Sequence, residues 1–86
     1  MFEWDGANVD HITAHGVSPD EAEEAILDPR HVPMAAYAVP GERRQAVVGM
    51  TEDLRLIFVV FTRRGPAIRV ITARDASPKQ RRRYRR

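Results

Sequence analysis

Arg69 stands inside the run AIRVITA (residues 67–73), with apolar neighbours on either side, and Arg74 follows at the end of the same run. Strand alternation groups Arg69 with Ala67, Ile71 and Ala73. Arg74, five positions on, has the opposite parity, but at a strand's end, where direction is loosely fixed. A guanidinium half surrounded by apolar side chains needs an anion, because an unpaired charge is costly in low dielectric. Two readings stay open. Glu3, Asp5 or Asp75 supplies a carboxylate, or a ligand supplies a phosphate.

Other residues extend the phosphate reading. Arg43, Arg44, Arg55, Arg63 and Arg64 flank turns and strand edges, and Arg81 and Arg82 lie in the closing stretch RDASPKQRRRYRR (74–86). Thirteen of the fourteen basic residues are arginine, whose planar fork fits phosphate oxygens two at a time. Tyr84 can stack a nucleobase or donate a proton, or it can simply pack the tail onto the sheet. His11 and His15 are four apart, with Asn8 one turn earlier, and such a pair can share a metal. The glutamate of an HExxH motif is missing between them, and His31 is the one further imidazole. The plainer reading packs His15 at a helix end, bonded to backbone, and leaves His11 partly exposed. Neither a metal nor a cofactor is expected. A Gly-rich phosphate loop and a G-x-S-x-G elbow are both missing from the sequence.

The elements that must position these groups are punctuated clearly. FEW (2–4) reads as a short strand with Phe2 and Trp4 on one face. Asp5 can cap a helix over 7–15, closed by Gly16 in a left-handed conformation. Ser18-Pro19-Asp20-Glu21 is a capping box with proline at the first helical position, and Ala22, Ala25 and Ile26 form the inner stripe before Pro29 stops the run. HVPMAAYAV (31–39) is extended, and Pro33 demotes it to an edge or bulged strand. RRQAVVGM (43–50), LRLIFVVFT (54–62) and AIRVITA (67–73) follow across short turns. LIFVVF is apolar on both faces and marks the central strand. Ser77-Pro78-Lys79-Gln80 repeats the capping form, so the basic tail begins as a helix.

The order β-α-α-β-β-β-β-α predicts one α+β domain over residues 1–86. Its curved antiparallel sheet carries two N-terminal helices on one face and a basic C-terminal helix. At 43% hydrophobic the chain can build a core, and with no cysteine it has no disulfide or thiolate metal site. The opening MFEWDGANVD is acidic where a secretion signal would be basic. The longest apolar run is far below the ~20 residues that span a bilayer. A soluble, cytoplasmic protein without membrane contact is expected.

Net charge is only +2, yet it is split. Residues 1–29 hold eight acids and no Lys or Arg, whereas residues 30–86 hold all fourteen basic residues against four acids. One surface therefore suits an anionic partner and another does not.

Four stretches carry a resemblance: FEWD (2–5), NVDHITAHGVSPDEAEEAI (8–26), LRLIFVVFTRRG (54–65) and IRVITARDASPKQRRRY (68–84). Together they resemble the BrnT family of type II toxins, small ribonucleases related in fold to the RelE toxins. The similarity runs from Phe2 to Tyr84, and its most specific parts are the HGV turn and the IRVITAR strand leading to a basic helix that ends in Tyr. It departs at Ala14, where many members carry lysine.

The resemblance implies a toxin that cuts RNA and stops translation. It also implies a cognate antitoxin with a ribbon-helix-helix DNA-binding half, through which operator DNA is reached. A metal-independent ribonuclease needs a base for the 2′-hydroxyl, cations for the phosphorane and an acid for the leaving 5′-oxygen. On this reading Arg69 and Arg74 hold the scissile phosphate, and Tyr84 or His15 moves the proton. Arg44, Arg55, Arg63, Arg64, Arg81 and Arg82 would guide the RNA. The alternative is a noncatalytic module on the same fold that binds RNA, the ribosome or the antitoxin.

Overall fold

The computed structural model describes residues 1–36 and 39–85. The elements are β1 (Phe2–Glu3), α1 (Gly6–Ala14), α2 (Pro19–Leu27), β2 (Val32–Met34), β3 (Arg44–Met50), β4 (Leu56–Arg64), β5 (Ala67–Asp75) and α3 (Pro78–Tyr84). This is the predicted order. The expected extended run over 31–39 appears as β2, and its residues 37 and 38 lie outside the described ones.

All three helices start on reciprocal caps. Asp5 accepts from the Ala7 and Asn8 amides while Asn8 Oδ1 accepts from the Asp5 amide; Ser18 and Glu21, and Ser77 and Gln80, exchange bonds in the same way. Each box satisfies amides that a helix start otherwise leaves unpaired. Gly16 takes the left-handed conformation predicted for it, with φ +76°.

The sheet order is β1-β5-β4-β3-β2, so β4 is central and β2, with Pro33, is an edge. β4 begins at Leu56 rather than 54, because Leu54 is left-handed (φ +64°) and belongs to the turn. One expectation needs correction. The sheet is mixed, since β1 runs parallel to β5, pairing Phe2 with Ile68 and Glu3 with Arg69. The parallel direction carries the chain onward beside β5 and lets α1 take over where β1 stops. Asn8 is buried there, and its Nδ2 donates to the carbonyls of Glu3 and Val70, both at 3.0 Å. A side-chain amide thus replaces the next rung of the ladder.

The sheet is a middle layer between two apolar clusters. Ile12, Val17, Ala22, Ala25 and Ile26 of the first two helices pack on Val47, Ile57, Val59, Phe61, Val70 and Ala73. The other face presents Ala46, Val48, Leu56, Phe58 and Val60, against which Tyr84 of α3 packs. The third helix therefore covers the face opposite to α1 and α2, and it covers only part of it.

Candidate nucleic-acid interface

A register shift in β5 decides which arginines meet. Val60 pairs with Thr72, but the next residue of β4, Phe61, pairs with Val70, so Ile71 is an extra residue. Such a bulge reverses the parity of everything beyond it. Arg69 pairs with Thr62 and Arg74 with Phe58, both on the α3 side of the sheet. The two arginines, of opposite parity in sequence, share a face.

Two adjoining depressions on this face form one groove. The first is walled by Arg44, Phe58, Thr72, Arg74 and Gln80 of α3. The second shares Arg44 and Thr72 and continues to Arg64, Arg69, Glu42 and His11. Arg74 lays its guanidinium over the Phe58 ring, 4.6 Å from the centroid. Its one polar contact among the described residues is a long 3.5 Å bond to the Asp75 carbonyl. No carboxylate among the described residues pairs with it. Stacking fixes the plane of the cation and leaves its edge free for an anion.

The other arginines differ. Arg69 is already paired: its Nη atoms meet both Asp5 oxygens, at 3.0 and 3.2 Å, with Glu3 at 3.7 Å. The carboxylate alternative is the one realised, and the Arg69 hydrogen bond holds the Asp5 carboxyl below its usual range. Arg64, exposed, lies 3.7 Å from Glu3, and Arg44 bonds Glu42 at 3.1 Å.

Arg55 is not in the groove. It donates to Asp75 (2.9 Å), Glu21 (2.9 Å) and the Gly16 carbonyl (2.8 Å), tying the end of β5 to the α1–α2 corner. Arg63 bonds Gln45 at 3.2 Å on the sheet face opposite Arg64. Arg81 closes onto the Ala76 carbonyl at 3.1 Å, and Arg82 is exposed on α3.

Neither residue named for proton transfer lines the groove. The Tyr84 hydroxyl donates to Asp28 at 2.6 Å, and the same carboxylate accepts from the Met50 and Arg30 amides. Tyr84 latches α3 onto the end of α2. Burial and the Asp28 contact push the phenol's pKa up. Burial raises the Asp28 pKa, but the bonds from Tyr84, Arg30 and Met50 together carry it below its ordinary value.

Tyr84→Phe should accordingly cost about 1 kcal/mol at neutral pH, the usual net value of one hydrogen bond. An Asp with a depressed folded pKa stabilises above its unfolded value of about 3.9, and that stability is lost as pH falls through the folded value. The difference in melting temperature between parent and variant should therefore narrow below about pH 4.

His15 is the exposed C-cap of α1, not a packed residue, and its ring meets that of His11 edge-on at 5.1 Å. His11, in sequence either a metal partner or a partly exposed side chain, lines the groove, and its Nε2 lies 3.0 Å from Thr72 Oγ1. Among the described residues no three His, Asp or Glu converge as a metal site. No helix among them is long and apolar enough to cross a membrane. Sequence reasoning passed over Asn8's place in the sheet and over Gly49. The signal for the first was the Asp5-x-x-Asn8 cap, and for the second a glycine within a strand, which marks close backbone approach.

The groove thus joins a stacked guanidinium with no carboxylate partner among the described residues, further arginines and an imidazole on the open part of a sheet. A comparison with curated proteins gives no match. A family model described as "Ribonuclease toxin, BrnT, of type II toxin-antitoxin system" matches residues 4–80, which include every groove residue named above and stop short of Arg81, Arg82 and Tyr84. On that match the chain belongs to the BrnT family of ribonuclease toxins, whose type II systems pair each toxin with a cognate antitoxin.

Proposed function

We propose that this toxin is a metal-independent endoribonuclease that binds RNA along the arginine groove and stops translation by cutting it. The observation that carries this reading is Arg74, stacked on Phe58 and without a carboxylate partner among the described residues. In the reaction the ribose 2′-oxygen attacks phosphorus, the P–O5′ bond breaks, and a 2′,3′-cyclic phosphate and a 5′-hydroxyl remain. Arg74 neutralises the charge that builds on the phosphorane, with Arg44 beside it. Arg64 guides the backbone. Arg69 holds the N-terminal segment through Asp5 and positions the groove's far wall, so its effect on cleavage is indirect. Among the described residues that line it, the groove offers a divalent ion one carboxylate, Glu42, already paired with Arg44. Its donor set suits phosphate better than metal.

The cognate antitoxin, on this reading a ribbon-helix-helix protein that contacts operator DNA itself, neutralises the toxin by covering the same groove. The protein acts in the cytoplasm. The test uses antitoxin-free protein and a labelled RNA in excess EDTA. Cleavage leaving 2′,3′-cyclic phosphate ends is the expected result. Cleavage abolished by EDTA would rule out the metal-independent route. Binding that fades with salt and leaves the RNA whole would make the chain a binding module instead.

A further inference from the structure

We propose that His11 is the general base of this site, the group that takes the proton from the attacking 2′-hydroxyl. The inference rests on the ribonuclease reading and adds to it the residue that moves the proton.

Three observations carry it. The first is position. Because Asn8 binds the β5 edge at Val70, the residue one helical turn later is carried over the bulge, and His11 meets Thr72 there. Thr72 belongs to both depressions of the groove, so the imidazole lines the second depression at a residue that it shares with the first, whose wall carries Arg74.

The second is the hydrogen bond itself. The 3.0 Å contact places an aliphatic hydroxyl at proton-transfer distance from Nε2, and in the tautomer that carries its proton on Nδ1 the Thr72 hydroxyl is the donor to the Nε2 lone pair. A ribose 2′-hydroxyl replacing that donor presents its proton to the same lone pair.

The third is elimination within the groove. Tyr84 is engaged with Asp28, and His15 braces the edge of the His11 ring without lining either depression. Imidazole is the side chain whose ordinary charge change falls between pH 5 and 8, which suits proton transfer at neutral pH.

The step balances. The 2′-oxygen forms the new bond to phosphorus as its proton passes to His11 Nε2, and the P–O5′ bonding pair leaves on the 5′-oxygen. That oxygen takes up a proton from water. The titratable and charged groups facing the imidazole are His15 from its own helix, and Glu42, Arg44, Arg64 and Arg69 across the depression.

The experiment compares the full chain, free of antitoxin, with His11→Gln and His11→Ala on one labelled RNA from pH 5 to 8. Circular-dichroism melts establish that each variant is folded; His11 is exposed, so both should be. Cleavage by His11→Gln is expected to fall about 100-fold or more at pH 7, with RNA affinity changed less than about threefold. A rise of rate with pH is expected for the parent and should be lost in His11→Gln. Added imidazole should restore part of the lost rate to His11→Ala, which a merely structural role would not allow. Thr72→Val, which removes only the hydroxyl that orients the ring, should lose about 2- to 10-fold. A folded His11→Gln that cleaves within about threefold of the parent and keeps its pH dependence overturns the assignment of His11 and leaves the ribonuclease reading standing. A parent that does not cut RNA at any pH overturns both.

Discussion

Arg74→Ala is expected to lower RNA cleavage about 100- to 1,000-fold, the usual cost of removing one donor that stabilises charge in the transition state. The fold should survive the change. Arg74 is exposed, and among the described residues its side chain is held by the Phe58 ring at 4.6 Å and a 3.5 Å bond to a carbonyl. An exposed cation–π contact is worth only about 0.5–1 kcal/mol. Arg74→Lys should recover little, since a lysine keeps the charge but not the flat, stacked fork that presents two donors at once. The measurement is single-turnover cleavage of a labelled RNA by parent and variants, with thermal melts alongside. If Arg74→Ala cuts at the parental rate and melts like the parent, the phosphate is held by something else.

The expectation singles out Arg74 because of how the acids of the first third of the chain are used. Glu3 and Asp5 meet Arg69, Glu3 also lies near Arg64, Glu21 meets Arg55, Asp28 accepts from Tyr84, and Glu23 accepts from Trp4 Nε1 at 2.7 Å. The split in charge along the sequence is thus partly an internal pairing, in which N-terminal carboxylates hold cations of the sheet and the tyrosine hydroxyl of the tail. Among the described residues Arg74 is left out of this pairing. Beyond the bulge, among the described residues, it has the Phe58 ring beneath it and a long bond to the Asp75 carbonyl, and its edge stays open to an outside anion.

The parts of this arrangement that could be read from sequence are the local ones. The capping boxes at Ser18 and Ser77, the left-handed Gly16 and the doubly apolar β4 each follow from a few adjacent residues, and each is as expected. The site is not local. Whether Arg69 and Arg74 share a face depends on one extra residue at Ile71, which is defined only by β5's register against β4. Counting parity along the strand puts Arg74 on the wrong side. Arg55 looks like any surface arginine near a turn until residues 16, 21 and 75 converge on it. Tyr84 resembles a nucleobase platform until Asp28, 56 residues earlier, takes its hydroxyl. The parallel pairing of β1 likewise depends on where α1 must lie, which its two residues do not encode.

Gly49→Ala should be the most damaging of the five glycine-to-alanine changes in this chain. Gly49 lies in β3, opposite Ile57, on the face covered by α2. A Cβ there would stand 1.9 Å from the Ala25 carbonyl oxygen and 2.6 Å from its carbon. Both are backbone atoms, so no rotamer change relieves the clash; α2 must lift or β3 must bend. A cost of about 3 kcal/mol, the upper end of what overpacking usually brings, is expected. For a domain of this size that lowers the melting temperature by about 12–24 °C. Gly6→Ala is the natural control, because a Cβ at Gly6 meets nothing within 4 Å and the residue lies in the first turn of α1. It should be neutral or stabilising by up to about 1 kcal/mol. Equal melting of Gly49→Ala and the parent would mean that α2 does not seat on β3 as described. The consequence reaches the groove, because Asp28 at the end of α2 anchors Tyr84, and Tyr84 anchors the helix whose Gln80 walls the groove beside Arg74. Displacing α2 by one methyl should therefore weaken cleavage even where enough protein remains folded to assay.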